Sequence, residues 1–292
     1  MNNVPAKFIE TLLFDFKTIT LREVCQLSRS YGHLANELLN NRFDRNFPVR
    51  NGVFSRKPYD YVYGTKTTLQ IGEKPKKYHR SSQLFLYGTD SSIVNEELYK
   101  SIFTDRGGYI SFTIRMYMKR IDDKLIKLLI SYKGTYDLYL HVSLNSDLMK
   151  LLKRLTESKQ LAILKFHDKT HSDVVTDMAC ELFMQPQFEV FYVNYYQDDM
   201  LDKVFNLWET NQQTLYRKSI LIKQKITEIV IERFRSCSEE EYLKWQKMSL
   251  IFLKPEDVFI LKEDFIPSGS DHVIYATFTR GYGKSHTRFK FC

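Results

Sequence analysis

The stretch SDLMKLLKRLTESKQLAILKF, Ser146 to Phe166, decides how the second half of this chain folds. Leu148, Leu151, Leu152 and Leu155 recur at three- and four-residue spacing, which places them on one stripe of a helix with a polar, capping start. LAILKF then follows as a short apolar strand. A helix and a strand that cannot bury their apolar faces alone read as one βα unit of a larger stack.

The unit recurs downstream. SDVVTDMACELF (172–183) predicts a helix, FEVFYV (188–193) a strand, DDMLDKVFNLWETN (198–211) a helix and SILIK (219–223) a strand. SEEEYLKWQ (238–246) predicts a helix opened by a capping box of Ser238 and Glu241, and SLIFLK (249–254) another strand. Counted from YLHV at 139, strands fall near 161, 188, 219 and 249, a period that points to stacked βα repeats over 145–255. ITEIVIERF (226–234) is rich in β-branched residues and is expected as strand. HVIYATF, the turn TRGYGKS and HTRFKF close the chain as a hairpin within 270–292.

Upstream, 43–144 reads as β-rich. YISFTIRMYM alternates Ile110, Phe112, Ile114 and Met116 with Ser111, Thr113 and Arg115, the mark of a half-buried strand. LIKLLISY (125–132), a turn at Lys133-Gly134 and TYDLYLHVSL (135–144) are expected as a hairpin. NGVFSRKPYDYVYGTKTTLQIGEKPKK (51–77) predicts turns and edge strands.

Residues 1–41 read as helical. Pro5 suits a first helical position, and Phe8, Ile9, Leu12, Leu13 and Phe16 keep helical spacing. Thr20 and Glu23 make a capping box for a second helix carrying Leu21, Val24 and Leu27, and Tyr31, Leu34, Ala35 and Leu38 supply a third.

The charge is +8, unevenly placed. From Arg42 to Asp90 there are ten Lys and Arg (Arg42, Arg45, Arg50, Arg56, Lys57, Lys66, Lys74, Lys76, Lys77, Arg80) against Asp44, Asp60, Glu73 and Asp90, a net +6. A solvated loop region accounts for it, and nucleic acid or an acidic protein surface could exploit it. No apolar run approaches the ~18 residues that span a bilayer, and the N-terminus does not read as a signal peptide, so no membrane partner is expected. Cys25, Cys180, Cys237 and Cys292 are scattered, which with the absence of an Asn-x-Ser/Thr sequon fits reduced thiols in the cytoplasm or nucleus.

Chemistry is hard to find. Gly283-Lys284-Ser285 lacks the earlier glycine and the following helix of a phosphate loop. His167 and His171 have a metal-compatible spacing but sit in a loop without an evident third ligand beyond a nominal Asp173. Asp122-Asp123 and Asp198-Asp199 are explained by turn and cap chemistry. No Ser or Cys stands on a Gly-rich elbow. No catalytic residue, metal ligand or cofactor is expected, and the chain does not read as an enzyme.

Val4-Pro5, Phe8, Leu12-Leu13, Phe16, Leu21, Val24, Leu27-Ser28-Arg29, Tyr31 and Leu34-Ala35 together resemble an F-box, whose motif runs from an aliphatic-Pro start to an apolar-Ser-basic-x-aromatic-x-x-Leu-Ala end. Lys7, Thr20 and Tyr31 depart from its usual acidic residue, Asp and Trp. An F-box ahead of a divergent α/β domain is similar to the F-box families expanded in nematodes. The resemblance implies an α/β chain with two parts: a three-helix F-box-like unit over 1–42, and a substrate-recognition domain over 43–292 with irregular leucine-rich-repeat-like βα units and β-rich flanks. It also implies a substrate receptor of a cullin-based, SCF-type ubiquitin ligase. Pro5, Phe8, Leu12, Leu13, Leu21, Leu27, Ser28, Tyr31 and Leu34 would form the surface, and its support, that docks to the Skp adaptor, and through it to the cullin. The remainder would hold an unknown protein substrate. The other reading is a nucleic-acid-binding protein working through 42–80, with Arg50, Arg56, Lys57, Lys66, Lys74, Lys76, Lys77 and Arg80 as its basic surface.

Overall fold

A computed structural model of the protein describes Leu21 and residues 24–26, 29–62, 65–75, 78–88, 95–104, 111–132, 134–167, 173–194, 198–224, 232–248, 257–262, 265–266, 272–281 and 284–292. By its internal contacts the chain divides into two units, Met1–Arg115 and Met116–Cys292. The expected first helix, the Thr20–Glu23 box and the strand at 249–254 lie outside the described residues, as do most residues of the expected second helix. So does most of ITEIVIERF, of which Phe234 opens a strand.

In the first unit, helix α1 (Arg29–Asn41) carries Leu34, Ala35 and Leu38 inward at the predicted spacing. These pack with Leu21, Phe43, Val62 and Tyr78 into one cluster, bordered by Val24, Cys25, Tyr31, Leu39 and Leu69. The sheet order is β6 (Ser111–Met116), β5 (His79–Tyr87), β1 (Phe43–Arg50), β3 (Tyr59–Val62) and β4 (Thr67–Gln70). β1 runs parallel to β5 and antiparallel to β3. β2 (Val53–Phe54) folds back on β1 through Asn51-Gly52, both at positive φ, the geometry that makes Asn-Gly a favoured two-residue hairpin turn. Phe112, Ile114 and Met116 of β6 are buried as their alternation predicts.

One charged pair is sealed inside this sheet. Arg45 and Asp60 are cross-strand partners, joined twice, Nε to Oδ1 at 2.8 Å and Nη2 to Oδ2 at 3.1 Å, with both side chains almost fully buried. Helix α2 (Glu96–Thr104) lies within the stretch expected to be β-rich. It is started by Asn95 Oδ1 accepting from the Leu98 N–H (3.0 Å), and it buries Tyr99 and Ile102.

The second unit opens with a correction. Residues expected as the first strand of a hairpin form helix α3 (Asp123–Ser131). Five aliphatics in the six residues 125–130 suit either period. The decision falls to Asp122, whose carboxylate accepts from Lys124 N (2.5 Å) and Leu125 N (3.1 Å), and to Leu125, Ile126 and Leu129, buried on one helical stripe.

From there strands and helices alternate: β7 (Tyr136–Leu140), α4 (Ser146–Glu157), β8 (Leu161–Phe166), α5 (Asp173–Phe183), β9 (Val190–Val193), α6 (Asp198–Leu215) and β10 (Ser219–Ile222). The four strands are parallel and pair in chain order, so each βα unit advances the sheet by one strand. Such a step needs a helical crossover, and all of these helices carry buried apolar stripes. Leu148, Leu151, Leu152 and Leu155 of α4 are fully buried, as the opening stretch predicts. Leu138, Leu164, Phe191 and Ile220 form a row across the facing side of the sheet, in register and buried.

Side-chain amides tie each unit to the one before it. Gln160 donates to the carbonyls of Ile130 (2.9 Å) and Tyr132, and Gln185 donates to the Thr156 carbonyl (2.9 Å). Lys218 places its ammonium on the carbonyls of Phe183 and Gln185, both at 2.6 Å. At the other end of the strands Asn145 donates to Lys119 O (2.6 Å) and Asn194 to His167 O. Carbonyls left over at helix C-termini and loops thereby find donors 26 to 35 residues further on.

The sheet then changes direction. β14 (Lys284–Phe291) lies antiparallel against β10, followed outward by β13 (Ile274–Gly281), β12 (Asp257–Leu261) and β11 (Phe234–Ser236). β13 and β14 are the expected terminal hairpin. Helix α7 (Glu239–Met248) starts on the predicted box: Ser238 N donates to Glu241 Oε2 (2.8 Å), and Glu241 N to Ser238 Oγ (3.3 Å). Its Trp245 packs with Val258, Ile260, Tyr275 and Cys292.

Candidate protein-interaction surfaces

Of the residues that the F-box resemblance assigns to adaptor docking, Leu21, Tyr31 and Leu34 are described; Pro5, Phe8, Leu12, Leu13, Leu27 and Ser28 lie outside. Leu21 is wholly buried and Leu34 nearly so, while Tyr31 is half-buried, and all three belong to the cluster built on Phe43, Val62 and Tyr78. Leu21 and Leu34 therefore help hold α1 on its own sheet, the supporting part of the expected assignment. The positions of α1 that face outward, His33, Asn36 and Asn40, are polar.

The expected basic surface is spread over several elements. Arg50 ends β1, Lys66 sits in the β3–β4 turn, and Arg56 and Lys57 lie in the loop before β3, all four exposed. Lys74 is half-buried and donates to Asn41 Oδ1 (2.7 Å), Arg80 is half-buried on β5, and Lys76 and Lys77 lie outside the described residues. Only around Arg56 and Lys57 is a site shaped. The Arg56 guanidinium lies 4.4 Å from the centre of the Tyr59 ring and donates to its hydroxyl at 2.6 Å. With Lys57, Gln70 and Glu73 these residues line a groove of about 510 Å³.

A third surface was not foreseen: the side of the βα sheet opposite its helices. Alternation sends Asp137 and Tyr139 of β7, Ile163 and Lys165 of β8, and Val190 and Tyr192 of β9 to that side. Tyr139, Lys165 and Tyr192 are in register, and the Lys165 ammonium lies 5.4 Å from one ring centre and 4.0 Å from the other. Beyond them, at the carboxyl ends of the strands, Tyr117, His141 and His167 form a ring stack, with centroids 4.2 and 3.8 Å apart and planes within 15°. Burial pushes the Tyr192 hydroxyl up to about 12, so it remains a neutral donor at physiological pH. No protein-family model matches this chain, and no curated protein matches its sequence.

This side of the sheet continues onto the antiparallel strands, where α7 packs on part of it through Trp245 against Tyr275 and Cys292. Leu221 continues the Tyr139–Lys165–Tyr192 row, and Arg288 of β14 follows it; Ser219 and Lys290 continue the neighbouring row. The sequence held a signal for it. The strand ends Tyr139-x-His141, Lys165-x-His167 and Tyr192-x-Asn194 repeat a large polar or aromatic residue at alternate positions. That signal emerges only once the strands are laid in register.

The remaining chemical candidates have structural explanations. His167 takes part in the ring stack, and His171 lies outside the described residues. No group of three His, Cys, Asp or Glu is placed to hold a metal among the described residues. Asp122 is a helix cap, Asp123 pairs with Lys150 (2.5 Å), and Lys284 and Ser285 are the first residues of a strand. Cys25, Cys180, Cys237 and Cys292 are free thiols, each raised by burial. No helix among the described residues is long and apolar enough to cross a membrane.

Proposed function

We propose that this chain is a substrate-recognition adaptor that joins a protein client to a ubiquitin ligase and makes or breaks no bond itself. In this reading residues 1–42 dock to a Skp-type adaptor, and through it to a cullin. The βα units are leucine-rich-repeat-like and present their strand face to the client. The observation that carries the client half is the row of Tyr139, Lys165 and Tyr192 beside the Tyr117–His141–His167 stack. Stacked βα units offer extended faces suited to proteins, and aromatic side chains with cations between them are the groups that dominate such interfaces. The adaptor half rests on the F-box resemblance alone. An adaptor of this kind acts by raising the local concentration of client lysines near a charged enzyme.

Affinity purification of the full chain, followed by mass spectrometry, tests both halves. Pro5→Ala with Leu12→Ala is expected to lose the Skp adaptor and keep the client. Tyr139→Ala with Lys165→Ala is expected to do the reverse. If neither pair changes what is recovered, with the fold retained, the reading fails.

The groove at Arg56, Lys57 and Tyr59 favours the second reading, binding of single-stranded nucleic acid by stacking and charge. Its test is titration with random RNA and DNA across a salt series. A steep loss of affinity with salt, abolished by Arg56→Ala with Tyr59→Ala, supports this reading, and no binding at low salt removes it.

A further inference from the structure

Arg288 poses a charge problem that no described residue solves. It stands on the strand face of β14, opposite Leu221 of β10 and Thr277 of β13. Its Nη2 donates to Ser219 Oγ at 2.9 Å, while its Nε is buried and makes no hydrogen bond. Among the described residues no carboxylate pairs with it. The flanking residues of β14 on the same face are Lys290 and His286, which add positive charge or none. Among the described residues Cys292 is the group whose charge bears on it, and burial raises that thiol, so it is neutral near pH 7. Burial pulls the guanidinium below its ordinary value, the direction expected for a cation without a counter-ion.

A largely desolvated cation left uncompensated is unfavourable, and proteins that keep one usually supply it with an anion. Lys290, itself buried, is two residues along the strand, roughly 7 Å away by strand geometry. Ser219 and Tyr275 are the cross-strand partners of Lys290, and Thr277 that of Arg288, so hydroxyl groups surround the pair. A guanidinium whose Nε lacks an acceptor suits a planar or tetrahedral oxyanion.

We infer that Arg288, with Lys290 beside it and Ser219 and Thr277 on the adjoining strands, is an oxyanion-binding site that takes a carboxylate or phosphate group. Its place on the same face as Tyr139, Lys165 and Tyr192 makes the anion a side chain of the client. That assignment of the source rests on the adaptor reading; the site itself does not. It gives the client a chemistry: an acidic or phosphorylated segment, its anion anchored at β14 and its neighbours laid across the Tyr and Lys row.

The test uses the purified full chain without any client. Inorganic phosphate and acetate are titrated at constant ionic strength set by chloride, with melting temperature and amide hydrogen exchange of 284–291 as readouts. Saturable stabilisation with slowed exchange is expected. A response to phosphate alone assigns a phosphorylated segment, and a response to both anions a carboxylate. Arg288→Lys is expected to weaken binding about tenfold through loss of the planar fork, and Arg288→Met to abolish it. No response of the wild-type chain to either anion overturns the site, whether or not the variants fold, and so does an equal response in a folded Arg288→Met. Client capture by the full chain that survives Arg288→Met, despite a proven anion response, would leave the site standing and remove the client as its source.

Discussion

Gln185 donates its side-chain amide to the main-chain carbonyl of Thr156, 2.9 Å away and one βα unit earlier. Both residues are buried, so the bond is made where water cannot replace it. Gln160 and Lys218 do the same for the neighbouring units. Stacking of this sheet is therefore held by polar rungs between consecutive units as well as by the apolar row of Leu138, Leu164, Phe191 and Ile220.

Removing a rung should cost more than a surface mutation. Gln185→Ala leaves the Thr156 carbonyl buried without its donor, a loss of about 1–3 kcal/mol. The urea midpoint should fall accordingly, with the slope unchanged. A midpoint within error of wild type would mean that water reaches the carbonyl.

Asp60→Ala is expected to be among the most damaging single changes in the first unit. It strands the Arg45 guanidinium in the sheet, at about 3–5 kcal/mol. Replacing both residues with apolar ones of similar size should recover most of that loss, because the cost lies in the unpaired charge. Equal destabilisation of single and double variants in denaturant melts would contradict this account.

Acid should loosen helix α7 early. The Arg235 hydrogen bond, with help from Ser238, lowers the Glu241 carboxyl from 4.5 to about 2. A depressed folded value means stabilisation that is complete above about 4.5 and lost as pH falls towards 2. Glu241→Gln keeps an acceptor for the Ser238 N–H but loses the ion pair with Arg235, so it should cost about 1 kcal/mol at neutral pH and flatten the acid limb in that window. An unchanged acid limb, followed by thermal melts across pH, would show that Glu241 does not contribute to it.

Lys218 should act in alkali with the same sign. Burial lowers its ammonium from 10.5 to about 8. Between those values the unfolded chain holds the proton more tightly than the folded one, so this residue makes stability rise with pH from about 8 to 10.5. Lys218→Gln keeps an amide donor near the Phe183 and Gln185 carbonyls but has no proton to lose. The rise should vanish in that variant, and its persistence in pH-dependent melts would assign it to another group.

Sequence alone determined whatever is written in local period and local chemistry. The Leu148–Leu155 stripe, the Ser238–Glu241 box, the alternation from Phe112 to Met116 and the terminal hairpin follow from side-chain spacing and caps within a few residues. The order of helix and strand from Ser146 to Ile222 came with them. Local pattern failed at 125–130, where five aliphatics around Lys127 satisfy both periods and one capping carboxylate at Asp122 chooses between them. Tertiary structure alone decided the rest, because it depends on residues that belong to different elements. The cluster that buries Leu21 and Leu34 forms only when Phe43, Val62 and Tyr78 are folded over them. Tyr139, Lys165, Tyr192 and Arg288 form no motif until four strands bring them to one face, where no described carboxylate pairs with Arg288.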